Sequence, residues 1–251
     1  MHEKQNTLMV KRLVDLCMTL LLLFLMAYQV TGEQAHEWIG MGMTALVILH
    51  QILNRTWYGA FFKGKYNAYR SLTTAVNVLL LAAFLLTALS GMSMSGYAVP
   101  FLYGLTKVSL ARRVHLSLSH WTFVLMGLHL GLHIPVITAR LQLTSRQKTL
   151  ISALFCCLGG VGLFLFLKNG IPSYLFFRVP FAFLNYDLSA GLVFGTNILM
   201  LLFWAFLGAQ GAALCRSFSR RGAAAKQSLS PVLFLLAAVV TGLILNLAFS
   251  S

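Results

Sequence analysis

Two apolar stretches of the chain each carry a pair of histidines separated by fourteen residues. The first pair is His36 and His50, and the second pair is His115 and His129. On an α-helix, a step of fourteen residues returns to nearly the same face, about 40° short of whole turns, and rises about 21 Å. The spacing therefore predicts two helices that each present two imidazoles at matched depths.

Imidazoles arranged in this way suit the iron of haem groups. Haem iron in an electron carrier takes two axial ligands from the protein, and two imidazoles fill both positions. The two helices run in the same direction, because one further span separates them. His36 then shares one level with His115, and His50 shares the other level with His129. The pattern predicts two haem b groups bound at two heights in a helical bundle.

Two further histidines, His120 and His133, lie in the second stretch. From His115 to His133 is about 27 Å, about 6 Å more than the first stretch offers, and His120 lies about 140° around the helix from His115. Only His115 with His129 matches both depth and face. His120 and His133 remain as alternate ligands, or as groups that contact a haem propionate, deliver protons or form a quinone site.

Residues beside the histidines fit the same chemistry. Gly40 lies one turn past His36, and small residues allow a macrocycle to approach the helix backbone. Arg112 and Arg113 come just before His115, and each is a candidate partner of a haem propionate as well as an ordinary loop charge. Gly42, Gly127 and Gly131 are further candidates to face a haem, although glycine is common in membrane helices anyway. Arg55, just past His50, is a candidate propionate partner or an ordinary loop charge.

The composition is that of a membrane protein, with 59% hydrophobic and 10% charged residues. Apolar runs long enough to span a bilayer as helices are expected at 13–30, 36–53, 72–89, 114–139, 150–167, 188–213 and 231–249. We predict an all-α polytopic membrane helical bundle of about seven transmembrane helices. Residues 1–140 form a four-helix haem-binding core, and residues 141–251 add three helices together with an aromatic segment at 168–187 that suits the membrane surface.

The net charge of +14 does not indicate a nucleic-acid partner. Fourteen of the nineteen lysines and arginines lie at the N-terminus and in the loops after the second, fourth and sixth runs. This bias predicts a multi-pass protein of the bacterial cytoplasmic membrane with its N-terminus in the cytoplasm. Asp15 lies within the first run, where an acid is costly. It either has a functional role or forms an ion pair with Lys11 or Arg12.

The stretches HEWIGMGMTALVILHQILN and RVHLSLSHWTFVLMGLHLGLH resemble the flavinylation-associated cytochrome b domains of anaerobic bacteria. The resemblance is strongest over residues 8 to about 138. It implies a membrane di-haem b-type cytochrome that moves electrons across the bilayer, with an extracytoplasmic flavin-carrying protein as a partner. The chain departs from the family by its three further spans and by His120 and His133.

We therefore expect electron transfer between the quinol pool, or a cytoplasmic-side donor, and an extracytoplasmic acceptor such as a flavoprotein. No glycine-rich nucleotide fingerprint is present, which favours the membrane electron-transfer subunit of an oxidoreductase over a complete enzyme. Quinone is a further candidate cofactor. Two alternatives are a histidine-based transporter of divalent metal or protons, which would use the histidines and Asp15, and a scaffolding subunit without a cofactor. A further metal site, for zinc or another divalent ion, could use His129 and His133 alone.

Overall fold

A computed structural model of the protein describes residues 2–138 and 143–221. Within these residues the chain forms eight α-helices and no strand, which confirms the predicted all-α class. The helices are α1 His2–Met26, α2 Tyr28–Leu53, α3 Thr56–Phe61, α4 Ala68–Met92, α5 Val108–Thr138, α6 Ser145–Lys168, α7 Ile171–Leu175 and α8 Ala190–Arg221. The run expected at 231–249 lies outside the described residues.

Three of these helices are long and apolar enough to cross a membrane. They are Ala68–Met92, Ser145–Lys168 and Ala190–Phe218. Large apolar side chains such as Leu86, Leu154 and Phe164 are exposed on them, as lipid-facing positions require. Helices α1, α2 and α5 are long enough to span but less apolar, because ionisable side chains interrupt their apolar runs. The seven-span arrangement therefore stays a prediction.

The described residues form two compact units. The first unit comprises Met1–Lys65, Leu81–Phe123 and Ser173–Ile198. The second unit comprises the described residues within Tyr66–Leu80, Val124–Pro172 and Leu199–Ser251. Helices α4, α5 and α8 contribute residues to both units, so each unit draws on both sides of residue 140. The predicted division at that residue stays a prediction.

In the first unit, a kink at Gly32 separates α1 and the start of α2 from the histidine-bearing part of α2. Gly32 has a φ of 71°, a left-handed conformation that glycine adopts without steric cost. The chain can therefore turn there, and α1 packs against α2. Val14, Met18 and Leu22 recur every four residues on α1 and are buried, so they form its apolar stripe.

In the second unit, a capping box starts α6 and a glycine of α5 allows close contact with α8. Helix α6 begins at a capping box, in which the Thr144 hydroxyl accepts from the Gln147 amide and the Gln147 side chain accepts from the Thr144 amide. Gly131 of α5 lies so close to α8 that a Cβ there would collide with the Ala205 carbonyl. Such contact between backbones is typical of helices that associate in membranes.

Candidate functional site

His36 and His115 lie next to each other in the first unit. Their ring centroids are 6.1 Å apart and their planes are inclined by 75°. The two residues are 79 positions apart in sequence and belong to different helices, α2 and α5. The packing of the unit therefore brings together two of the four histidines selected from the sequence.

The His115 ring is held in a defined tautomer by α4. Its Nδ1 lies 2.9 Å from the carbonyl oxygen of Thr87. A carbonyl can only accept, so Nδ1 carries the proton and Nε2 carries the lone pair. Gly91, one turn further along α4, leaves room for the ring, because a Cβ there would lie 3.0 Å from His115 Cε1. No sequence pattern had pointed to Thr87 or Gly91.

His36 is surrounded differently from His115. The Tyr28 ring contacts it edge-on, with centroids 5.1 Å apart and planes inclined by 75°. The Nδ1 atom of His36 is buried and has no hydrogen-bond partner in the part of the chain that the structure describes. The ring has a hydrogen bond with the backbone of Leu25, but a buried polar nitrogen without a partner is costly. A bound ligand would remove that cost.

His50, at the other end of α2, is paired with α1. Its Nδ1 donates to Asp15 Oδ1 over 2.8 Å. The neighbouring Lys11 instead donates to Asn54 Oδ1 over 3.1 Å, and the Asn54 amide donates to the His50 carbonyl over 2.9 Å. Asp15 is therefore paired with His50, a candidate ligand, and not with Lys11 or Arg12, the ion-pair partners expected from the sequence.

His129 belongs to the second unit, where its Nδ1 donates to Asn77 Oδ1 over 2.9 Å. The His133 ring is adjacent, with centroids 4.8 Å apart, and its side chain is exposed. Each of these contacts is internal to the second unit, whereas His50 belongs to the first unit. The predicted pairing of His50 with His129 stays a prediction.

His120 has a packing partner of its own in the first unit. Its ring stacks on Tyr174 of α7 at 4.7 Å with an interplanar angle of 5°, and its Nδ1 donates to the Leu116 carbonyl over 2.7 Å. The same stretch of α5 binds α7 a second time, because Ser117 and Trp121 both donate to the Leu175 carbonyl. His120 thus helps to attach the segment that follows α6.

The remaining candidates lie near the histidine pair in sequence. A Cβ on Gly40 would meet only Leu25, at 3.9 Å, so the space beside it is not filled by backbone. Arg112 and Arg113 are exposed in the first turns of α5, within one turn of His115. Gly131 and Gly127 instead contact α8 closely. A Cβ on Gly127 would clash with Trp204.

The number of available ligands decides which metal centre this site suits. Among residues 2–138 and 143–221, no three His, Cys, Asp or Glu side chains are grouped so that they could hold a metal ion. A protein zinc site takes three or four such ligands, whereas haem iron needs only two from the protein. The pair of His36 and His115 supplies two imidazoles, the number of protein ligands that haem iron takes in an electron carrier. No family model, curated protein or solved structure compared with the chain gives a match.

Proposed function

We propose that the protein is a b-type cytochrome that transfers electrons across a membrane through two haem b groups. It passes them between the quinol pool, or a cytoplasmic-side donor, and an extracytoplasmic acceptor such as a flavoprotein. In this proposal His36 and His115 ligate the outer haem, and His50 and His129 ligate the inner one. The surroundings are the cytoplasmic membrane of a bacterium, with about seven spans and the N-terminus in the cytoplasm.

The observation that carries the proposal is the separation of His36 and His115. Bonds between a metal and an imidazole nitrogen are about 2 Å long. An iron bound by one nitrogen of each ring therefore places the two ring centres about 6 Å apart. The centroids in this protein are 6.1 Å apart, so their separation matches that of two imidazoles bound to one iron.

The hydrogen bonds around the candidate ligands support the same function. Nδ1 of His115 donates to a backbone carbonyl, that of His50 to a carboxylate, and that of His129 to an amide oxygen. Histidines that bind metals typically donate one ring N–H in this way, which fixes the ring orientation and makes the other nitrogen a better ligand. In each case Nε2 is the atom that would coordinate.

Haem, when bound, supplies the one-electron chemistry of its iron. The residues of the chain hold the imidazoles in place, keep water away from them and set the local charge. Helix α4 orients His115 through Thr87, and α1 places the Asp15 carboxylate against His50. Arg112 and Arg113 are positioned to compensate the negative charge of propionates near the outer ligands.

The experiment is a reduced-minus-oxidised optical spectrum of the purified protein, with haem measured per chain. We expect two haem b groups in the wild type and about half that content in His36→Ala and in His115→Ala. His120→Ala is the matched control, because it removes a half-buried imidazole from the same helix as His115. Protein that stays colourless after haemin is supplied refutes the function, and full haem in both ligand variants refutes the pairing.

A histidine-based transporter is the second candidate, and the observation in its favour is the contact of Asp15 with His50. A carboxylate and an imidazole in contact inside a membrane helix pair can carry protons. This alternative predicts colourless protein and a proton flux into vesicles that Asp15→Asn abolishes. A transporter of divalent metal would instead show bound metal by elemental analysis.

A further inference from the structure

Glu37 connects α2 to the loop that precedes α5. Its carboxylate accepts four hydrogen bonds from consecutive residues of that loop. The donors are the Ser95 hydroxyl at 2.7 Å and the backbone amides of Gly96, Tyr97 and Ala98 at 3.0, 2.8 and 2.9 Å. Three successive amides and a hydroxyl directed at one carboxylate form a built anion site, and the protein fills it with its own side chain.

The loop itself is a folded piece of backbone. Ser93 and Ser95 are buried, and Ser95 Oγ accepts from the Val99 amide over 3.0 Å. The Ser93 side chain accepts from the Thr106 amide over 3.1 Å, and its carbonyl accepts from the Gly104 amide over 3.0 Å. These hydrogen bonds join the two ends of the loop to each other.

The connection leads to the histidine pair at both ends. Glu37 directly follows His36 on α2. On the other side, the loop joins α4, which bears Thr87 and Gly91 against His115, to α5, which bears His115 itself. Glu37 and the loop therefore link the helix that bears His36 to the two helices that hold His115.

We infer that Glu37 is a positioning residue that sets the separation of His36 and His115 for the outer haem. The inference rests on the proposed function for the role of that pair. Only a carboxylate serves here, because it offers two acceptor oxygens to four donors. Glutamine offers a single acceptor oxygen, and its NH₂ group would face the amide donors. Aspartate keeps the charge but reaches less far.

The experiment compares Glu37→Gln and Glu37→Asp with Glu33→Gln, which makes the same chemical change one turn earlier on α2 at an exposed position. The first readout is hydrogen exchange of the amides of residues 96–98 in protein without haem. The second readout is the haem content and the electron paramagnetic resonance signal of the low-spin ferric haems. That signal depends on the relative orientation of the ligand rings.

We expect exchange at residues 96–98 to accelerate by about tenfold or more in Glu37→Gln, with loss or alteration of one of the two haem signals. Glu37→Asp should recover part of both effects, and Glu33→Gln should match the wild type. Unchanged exchange in Glu37→Gln overturns the inference, and so does accelerated exchange with both haem signals intact.

The proposed function fails separately, when the wild-type protein binds no haem. In that event the hydrogen-exchange measurement alone decides whether Glu37 holds the loop. Accelerated exchange then retains only the attachment of the loop by Glu37 and overturns its role toward a haem, and wild-type exchange overturns both.

Discussion

In the proposed cytochrome, replacing Asp15 by asparagine should raise the midpoint potential of the haem that His50 ligates and leave the other unchanged. The Asp15 carboxylate accepts from His50 Nδ1 over 2.8 Å. A negative charge bonded to the ligand stabilises ferric iron over ferrous iron, since the ferric state carries one more positive charge. Asparagine keeps the size of the side chain and removes the charge. The ferric state therefore loses stabilisation, and the potential rises.

The size of the shift follows from the exposure of the pair. A hydrogen bond to a charged group contributes roughly 1.5–3 kcal/mol. The Asp15 side chain is 50% exposed and that of His50 is 23% exposed. Screening at such a position reduces the difference between the two oxidation states to about 1 kcal/mol. For a one-electron couple about 59 mV corresponds to a tenfold change in the equilibrium constant, so the expected rise is about 40 mV.

The assay is a potentiometric titration of the two haems, followed by their optical absorption. Asp187→Asn is the control, because it removes a carboxylate from the exposed connection before α8. The reasoning is refuted if both potentials stay at their wild-type values in Asp15→Asn, or if one of them falls. A shift of equal size in the Asp187 variant would show that the effect is not specific to the His50 contact.

Two further substitutions test the surroundings of the ligands. Gly91→Ala places a Cβ 3.0 Å from the His115 ring. We therefore expect a destabilisation of about 1–3 kcal/mol in thermal unfolding and an altered spectrum of one haem. Gly195→Ala is the control, because its Cβ meets nothing within 4 Å. Equal melting of the two variants would contradict the close contact. Asn77→Ala removes the acceptor of His129 Nδ1 and should weaken retention of one haem about tenfold or more, measured by haem loss to apomyoglobin. An unchanged rate of haem loss would exclude a role for the Asn77 hydrogen bond in holding His129 on the haem.

Much of the local structure is predictable from the sequence because helices form from local bonds. Hydrogen bonds four residues apart fix the rise and turn of each helix, so the fourteen-residue spacing is enough to relate His36 to His50 on one helix. Long apolar runs likewise predict α4, α6 and α8 as helices able to cross a membrane, and the structure agrees. Helices α2 and α5 also form, although their polar side chains make them less apolar.

The partners of the candidate ligands could not be predicted, since they come from other helices. Asp15 lies 35 residues from His50, and the donors to Glu37 lie 58 to 61 residues from it. Contacts at such separations depend on how helices pack, and no local pattern encodes them. Charge alone suggested Lys11 or Arg12 as partners for Asp15, whereas packing placed the carboxylate on an imidazole.

The sequence by itself determined the all-helical class and the three apolar helices able to cross a membrane, because each depends on composition or on spacing within one helix; its choice of histidines as haem ligands stays a prediction. Only the tertiary structure decided that His36 and His115 lie 6.1 Å apart. It also decided that Thr87 orients one of these rings and that His120 stacks on Tyr174 instead. The separation of two rings on different helices is set by side-chain volume and loop geometry together, and these act only once the chain is folded.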